Sequence, residues 1–200
     1  MKIAGLILAG GRSNRLGEHK FQRNLGGTPL IDHAVYRFSS QVDCLAVNLP
    51  RNCVVSDYKI LHEPEESAGK VGPLGGVLLG LDWAKAVSAN ALITMPVDVP
   101  FFPHDLTSKL LASFSGEAPA CVSENGQRHG LCTLWPVDCL PVFLNAFNND
   151  GVRTVNHMLD ILKVKEVNFR LEKHSRFFNI NTIQDIEIAE KIIKENHDIF

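Results

Sequence analysis

Gly10 and Gly11 close a short apolar run, and Arg15, Gly17 and Lys20 follow in the stretch LILAGGRSNRLGEHK. Paired glycines after a strand let the backbone approach a ligand and turn its N–H groups toward phosphate oxygens. Arginine binds phosphate through two nitrogens, and lysine adds a point charge. The spacing satisfies neither GxxxxGK[ST] nor GxGxxG. The alternative reading is a tight strand-to-helix turn with solvated basic residues. A second group is Asp98 in ITMPVDVPFFP, where Pro96 and Pro100 stiffen the backbone around the carboxylate. One carboxylate together with phosphates is a common way to hold Mg²⁺, because that ion keeps several of its waters. A plain turn aspartate is the competing reading. A third is FFNINT, where Asn179 and Asn181 project to one side of an extended segment. They can bind a ligand or metal, or form Asx turns. The glycines of GPLGGVLLGL let a helix approach a sheet or a ligand.

These groups need a scaffold, and the apolar pattern supplies one. Runs at residues 3–9, 44–49, 58–61 and 91–95 read as buried strands. Helical spacing follows Thr28-Pro29, with Thr28 as cap and Pro29 at the first position. Further helices are expected at 74–86 and 104–114. Strands alternating with helices imply an α/β fold, Rossmann-like and doubly wound around a mostly parallel sheet. Ligands bind such sheets at the carboxyl ends of the strands. Residues 10–20 follow the first strand, Asn48 ends the second, Glu63 follows the third and Asp98 the fourth. All should face one crevice.

The second half is less regular. Strands are expected at 118–122 and 131–134 around the polar turn SENGQRHG, then helices at 139–147 and 154–162 and a strand at 164–169. Thr182 and Asp185 have capping-box spacing before a last helix with Ile183, Ile186, Ala189, Ile192 and Ile193 on its apolar face. No repeat or linker interrupts the chain. We read residues 1–200 as a single domain, with a nucleotide-binding half at 1–115 and a variable second half at 116–200 inserted on it. Arg128 and His129, and likewise Arg153 and His157, either meet an anionic substrate or are solvated. Trp83 and Trp135 read as packing residues. Cys132 reads as a small core residue, since no His/Asp partner is positioned by sequence.

Composition excludes other classes. The 200 residues are 45% hydrophobic and 21% charged with a net charge of -2, which argues against a general nucleic-acid binder. The five cysteines are scattered and odd in number, which fits a cytoplasmic protein with reduced thiols. The eight histidines lack zinc-ligand spacing. No apolar run approaches the roughly 20 residues of a membrane helix.

Together, LAGGRSNRLGEHK, TPLIDHAV, GPLGGVLLGL, MPVDVPFFP and FFNINT resemble the molybdenum cofactor guanylyltransferases of the MobA type, within a wider nucleotidyltransferase superfamily. The resemblance spans 3–103 and returns at 177–190; the stretch 117–175 matches weakly. It implies the fold of the nucleotide-diphospho-sugar transferases. It implies transfer of GMP from GTP to the phosphate of molybdopterin, with release of pyrophosphate and formation of the guanine dinucleotide cofactor. Leu8, Ala9, Gly10 and Gly11 would line the nucleotide, Lys20 and Arg15 would hold and neutralise phosphates, and Asn48 would contact the guanine nucleotide. Asp98 would bind Mg²⁺, and Asn179 and Asn181 would form the pterin side. Glu63 is the nearest match to the family's nucleotide-binding aspartate, with Glu65 the competing alignment. Hand-over contacts with cofactor-dependent enzymes or chaperones are a further implication. The alternatives are a cytidylyltransferase on the same cofactor, a sugar-phosphate nucleotidyltransferase, and a nucleotide-binding partner that has lost catalysis.

Overall fold

The first apolar run forms a central strand, β1 (Ile3–Leu8). The structure is a computed structural model that describes residues 1–10, 19–51, 53, 55, 58–62 and 72–195. Strand β1 pairs in parallel with β4 (Cys44–Asn48) on one side and β6 (Ala91–Pro96) on the other. Beyond β4 lies β5 (Lys59–Leu61), also parallel. Beyond β6 the second half continues the same sheet. There β8 (Gln127–Pro136) is antiparallel to β6, β7 (Ala120–Glu124) is antiparallel to β8, and β9 (Lys165–Phe169) is parallel to β7. Among the described residues the order is β5-β4-β1-β6-β8-β7-β9. Only β8 runs against the rest. One sheet therefore joins both halves of a mostly parallel, doubly wound single domain.

Both faces of the sheet are covered, which is why the parallel strands read as unbroken apolar runs. Ile3 and Ile7 of β1 face one core, built with Phe38 of α1 (Leu30–Ser39), Leu110 of α3 (Leu106–Ala112) and Ile192 of α6 (Ile183–Glu195). Ala4 and Leu6 face the other. That core is built with Leu81 of α2 (Pro73–Ala86), Phe143 of α4 (Leu140–Asn148) and Leu159 of α5 (Val155–Ile161). Trp135 is fully buried there, and its indole N–H donates to Thr94 Oγ1 at 2.9 Å. In α2, a Cβ on Gly76 would lie 2.7 Å from Leu8 Cδ2, and one on Gly80 would lie 2.5 Å from Leu6 Cδ2. The glycines of GPLGGVLLGL thus seat α2 directly against β1.

Three local expectations are corrected. Thr28 does not cap α1. Gly26 and Gly27 both have positive φ, as a tight hairpin turn requires. They pair β2 (Asn24–Leu25) with β3 (Thr28–Pro29). Pro29, with ψ 145°, becomes the extended residue before the helix. Ile183 is 58% exposed, so the apolar face of α6 begins at Ile186. Strand β8 starts earlier than expected, because pairing with β7 rather than apolar content defines it. Its partner shifts from Thr133, opposite Cys121, to His129, opposite Val122. This bulge leaves Gly130, Leu131 and Cys132 outside the ladder with β7. Bulges commonly re-aim side chains at such places.

Candidate active site

The register brings the carboxyl ends of four strands into line. Leu8 pairs with both Asn48 and Pro96, and Asn48 pairs with Leu61. The alignment extends one residue further: Ala9 N–H donates to Asn48 C=O at 3.0 Å and Val97 N–H to Leu8 C=O at 3.1 Å. Leu8 and Gly10 are half-buried and Ala9 is buried at this edge. Gly11, Arg15, Glu63 and Glu65 lie outside the described residues.

Lys20 begins a short 3₁₀ turn, Lys20–Gln22, anchored by buried Phe21, on which the His19 ring stacks at 5.5 Å. Asp98 occupies the turn after β6. Its backbone carbonyl accepts Ile180 N–H at 2.9 Å, which ties the C-terminal extended segment to this turn. Beyond it, the Asp185 carboxylate accepts the Asn181 and Thr182 N–H groups, each at 2.8 Å, and Thr182 Oγ1 accepts Asp185 N–H at 3.1 Å. This reciprocal capping box starts α6 and holds Asn181 in place.

Lys20 Nζ then donates to Asp98 Oδ2, to Asn181 Oδ1 at 2.7 Å and to Asn179 Oδ1 at 3.4 Å. The side chains of Lys20 and Asp98 are only 12% and 16% exposed, so their attraction is poorly screened. The second oxygen, Asp98 Oδ1, is buried and has no hydrogen-bond partner among the described residues. A buried carboxylate oxygen without a donor is costly, and a cation arriving with its phosphates and waters would satisfy it. Among the described residues no group of three or more His, Cys, Asp or Glu side chains is placed to hold a metal. Any metal here depends on Asp98 plus ligand oxygens, and that donor set suits Mg²⁺.

Asn48 stands apart from this cluster. It is buried, its amide donates to Leu61 C=O at 3.4 Å, and its Oδ1 would be 3.0 Å from a Cβ on Gly76. It therefore lies where α2 meets the edge of the sheet, and Gly76 preserves the space beside it.

A cleft of about 510 Å³ opens beside the lysine cluster, with Asn179 and Pro96 in its wall. Its other lining comes from Glu124, His129 and the bulge of β8, and from Ser175, Phe177 and Phe178. Sequence reading missed Glu124, Ser175 and the two phenylalanines; it placed Glu124 in the polar turn SENGQRHG, whereas the structure makes it the last residue of β7. His129 faces this cleft, its ring 5.1 Å from that of Phe177. Burial lowers its pKa, and the Glu124 charge opposes that shift. Arg128 instead spans Asp160 at 2.7 Å and Glu166 at 2.8 Å. Arg153 donates to the carbonyl of Phe147 at 2.5 Å and stacks over its ring, whereas His157 is exposed. Burial pushes the Cys121 thiol up to about 11 and Cys139 to about 12, and raises Cys132 well above the usual range. These thiols pack rather than react.

The MobA-like NTP transferase domain matches the chain over residues 5–163. A protein of Rhizobium leguminosarum bv. trifolii named molybdenum cofactor guanylyltransferase is 36% identical over 95% of this chain and 92% of its own. The solved molybdopterin-guanine dinucleotide biosynthesis protein A of Archaeoglobus fulgidus superposes with a TM-score of 0.72 at 19% identity, covering 98% of this chain and 100% of its own. The 2-C-methyl-D-erythritol 4-phosphate cytidylyltransferase of Thermus thermophilus superposes with a TM-score of 0.71 at 16% identity, covering 97% and 100%. The last two likenesses concern the fold. It is shared by enzymes named for different nucleotides, so the fold does not choose the base.

Proposed function

The chain belongs to the family of MobA-like NTP transferase domains, and from that premise we propose that it transfers GMP from GTP to the phosphate of the molybdenum cofactor. The products are pyrophosphate and molybdopterin guanine dinucleotide. The observation that carries the reading is the meeting of Lys20, Asp98, Asn179 and Asn181 at the carboxyl edge of the sheet. The choice of guanine rests on relatives named guanylyltransferase.

An oxygen of the acceptor phosphate attacks the α-phosphorus of GTP. The bond from that phosphorus to the bridging oxygen breaks, and pyrophosphate leaves with the electron pair. No general base is needed, because a phosphate monoester has its second ionisation near about 6 and is largely dianionic at neutral pH. The protein's task is positioning and charge neutralisation. Lys20 carries three donors. It turns from Asp98 toward the phosphates as they enter, and Asn179 and Asn181 keep its ammonium oriented. Asp98 would hold Mg²⁺ through Oδ1, the oxygen that has no donor among the described residues. When bound, the ion neutralises charge on the triphosphate. Arg15 adds a second cation to the leaving pyrophosphate. Leu8, Ala9, Gly10 and Gly11 line the nucleotide, with Asn48 and Glu63 reading its base and sugar. Residues 1–115 mainly serve the nucleotide, while 116–200 serve the acceptor and lend Asn179 and Asn181 to Lys20.

Among the described residues no helix is long and apolar enough to cross a membrane. The proposed setting is the cytoplasm, where GTP is available and scattered cysteines stay as thiols. Hand-over to cofactor-dependent enzymes or chaperones belongs to the same proposal, since a labile pterin product is best passed on directly.

The test is product analysis with Mg²⁺, molybdopterin cofactor and either GTP or CTP. A guanine dinucleotide from GTP alone is expected. A cytosine dinucleotide would overturn the base assignment. No dinucleotide from folded protein would overturn the reaction.

A further inference from the structure

Glu124 is a carboxylate at the end of β7, 5% exposed, and it lines the cleft beside Asn179. No cation pairs with it among the described residues. It accepts the Ser175 hydroxyl through Oε2, and Oε1 accepts the Arg176 N–H at 3.4 Å. A carboxylate offers about four acceptor sites, so these contacts leave part of its capacity unused. Its charge is not isolated, since Glu124 also lines a cavity with Arg37, Lys109, Arg170 and Arg176, but none of these cations fills its free acceptor sites among the described residues.

The rest of the cleft is suited to a flat heterocycle. The Phe177 and His129 rings meet at 5.1 Å with a 34° tilt, Phe178 adds a half-buried ring, and Leu131 and Val99 complete an apolar wall. The volume of about 510 Å³ is ordinary for a small-molecule site. The cleft also has a polarity. Asn179 belongs both to its wall and to the contacts of Lys20, so one end opens on the phosphate-binding cluster. Glu124 is the carboxylate in its lining.

We infer that this cleft seats the pterin of the acceptor and that Glu124 reads its 2-amino-4-oxo edge. That edge presents a ring N–H and an amino N–H side by side, a pair that one carboxylate accepts together. The inference rests on the proposed guanylyl transfer and assigns its acceptor subsite. Guanine carries the same edge. The cleft, however, is built mainly from β7, β8 and the 171–179 segment, across β6 from β1 and β4, whose carboxyl ends carry Gly10 and Asn48. Glu124 is therefore assigned to the acceptor and not to the base of GTP.

The experiment uses the full chain. Binding of pterin is compared with binding of lumazine, which replaces the amino group by an oxygen and sets an acceptor against the carboxylate. The KM values for molybdopterin and for GTP are then measured in wild type and Glu124→Gln. Wild type should prefer pterin by about tenfold or more, since a site built for a hydrogen bond rejects the analogue that lacks it. Glu124→Gln should bring the two ligands level and raise the KM for molybdopterin by about 10- to 100-fold, with the KM for GTP unmoved. A merely structural role for Glu124 would weaken both ligands equally. That result would overturn the assignment, as would equal binding of the two by wild type, no pterin binding to folded protein, or a raised KM for GTP instead. A wild type that makes no guanine dinucleotide would overturn the proposed function; the pterin–lumazine comparison reads the subsite independently of turnover.

Discussion

Two cationic side chains each gather several oxygen acceptors in this protein, with different results. Arg128 spans Asp160 and Glu166, acids that are 62% and 41% exposed. Those contacts hold its guanidinium pKa above the usual range. It braces β8 against α5 and β9. Lys20 meets Asp98, Asn179 and Asn181 in a half-buried corner and leaves Asp98 Oδ1 without a donor. The first cluster is at the surface, where ion pairs contribute little and water can replace any partner. In the second, the ion pair is largely withdrawn from water and one carboxylate oxygen is left without a donor, an unfavourable arrangement that a bound cation would relieve. Charge clusters are thus sorted by what they leave unmet, not by how many contacts they make.

That contrast can be broken by substitution. Asp98→Ala should lower the guanylyl-transfer rate by about 10³-fold or more while the far-UV circular dichroism and melting temperature stay near wild type. A rate within a few fold of wild type would put Asp98 among the structural acids. Lys20→Ala should lower the rate by about 10²-fold and weaken GTP binding in a direct titration. Unchanged affinity and rate together would remove it from the site. Gly76→Ala should press α2 away from Leu8 and Asn48. Overpacking of about 1–3 kcal/mol, offset by about 1 kcal/mol of helix propensity, leaves a net loss near 1 kcal/mol. A melting temperature lower by about 2–4 °C would register it.

Arg128→Ala should change stability by less than about 1 kcal/mol in a denaturant titration and leave kcat unchanged. A large loss of turnover there would erase the distinction between the two clusters. The smallest effect concerns pH. Burial lowers the His129 pKa in the folded protein, with Glu124 opposing. As pH falls from about 7 through the histidine range near about 6.5, the unfolded chain takes up this proton first, and stability is lost. His104 titrates in the same sense, through burial and the charges of Arg37 and Arg176. His129→Gln should therefore flatten the stability–pH slope in this window only in part.

Much of the scaffold was legible because parallel strands buried on both faces need unbroken apolar runs, and β1, β4 and β6 have them. The capping box of α6 was legible because it is a local pattern, and both of its reciprocal bonds form. Thr28 misled because Gly26-Gly27 made a stronger local demand, a hairpin that leaves Pro29 extended. The start of β8 was illegible because its polar residues are strand only by pairing with β7. Glu124 and His129 lie inside the polar turn SENGQRHG in sequence and look solvated there, whereas the bulge and the 171–179 segment enclose them.

The sequence by itself determined which residue types could serve phosphate and metal chemistry and which apolar runs would form strands, since residue type and periodicity are local properties. Only the tertiary structure decided which of them meet. Lys20 reaches Asp98 across 78 positions and Asn181 across 161. That meeting depends on parallel register and on the Ile180 N–H bonded to the Asp98 carbonyl, contacts between distant stretches that no local pattern specifies, while the local cap of α6 fixes Asn181.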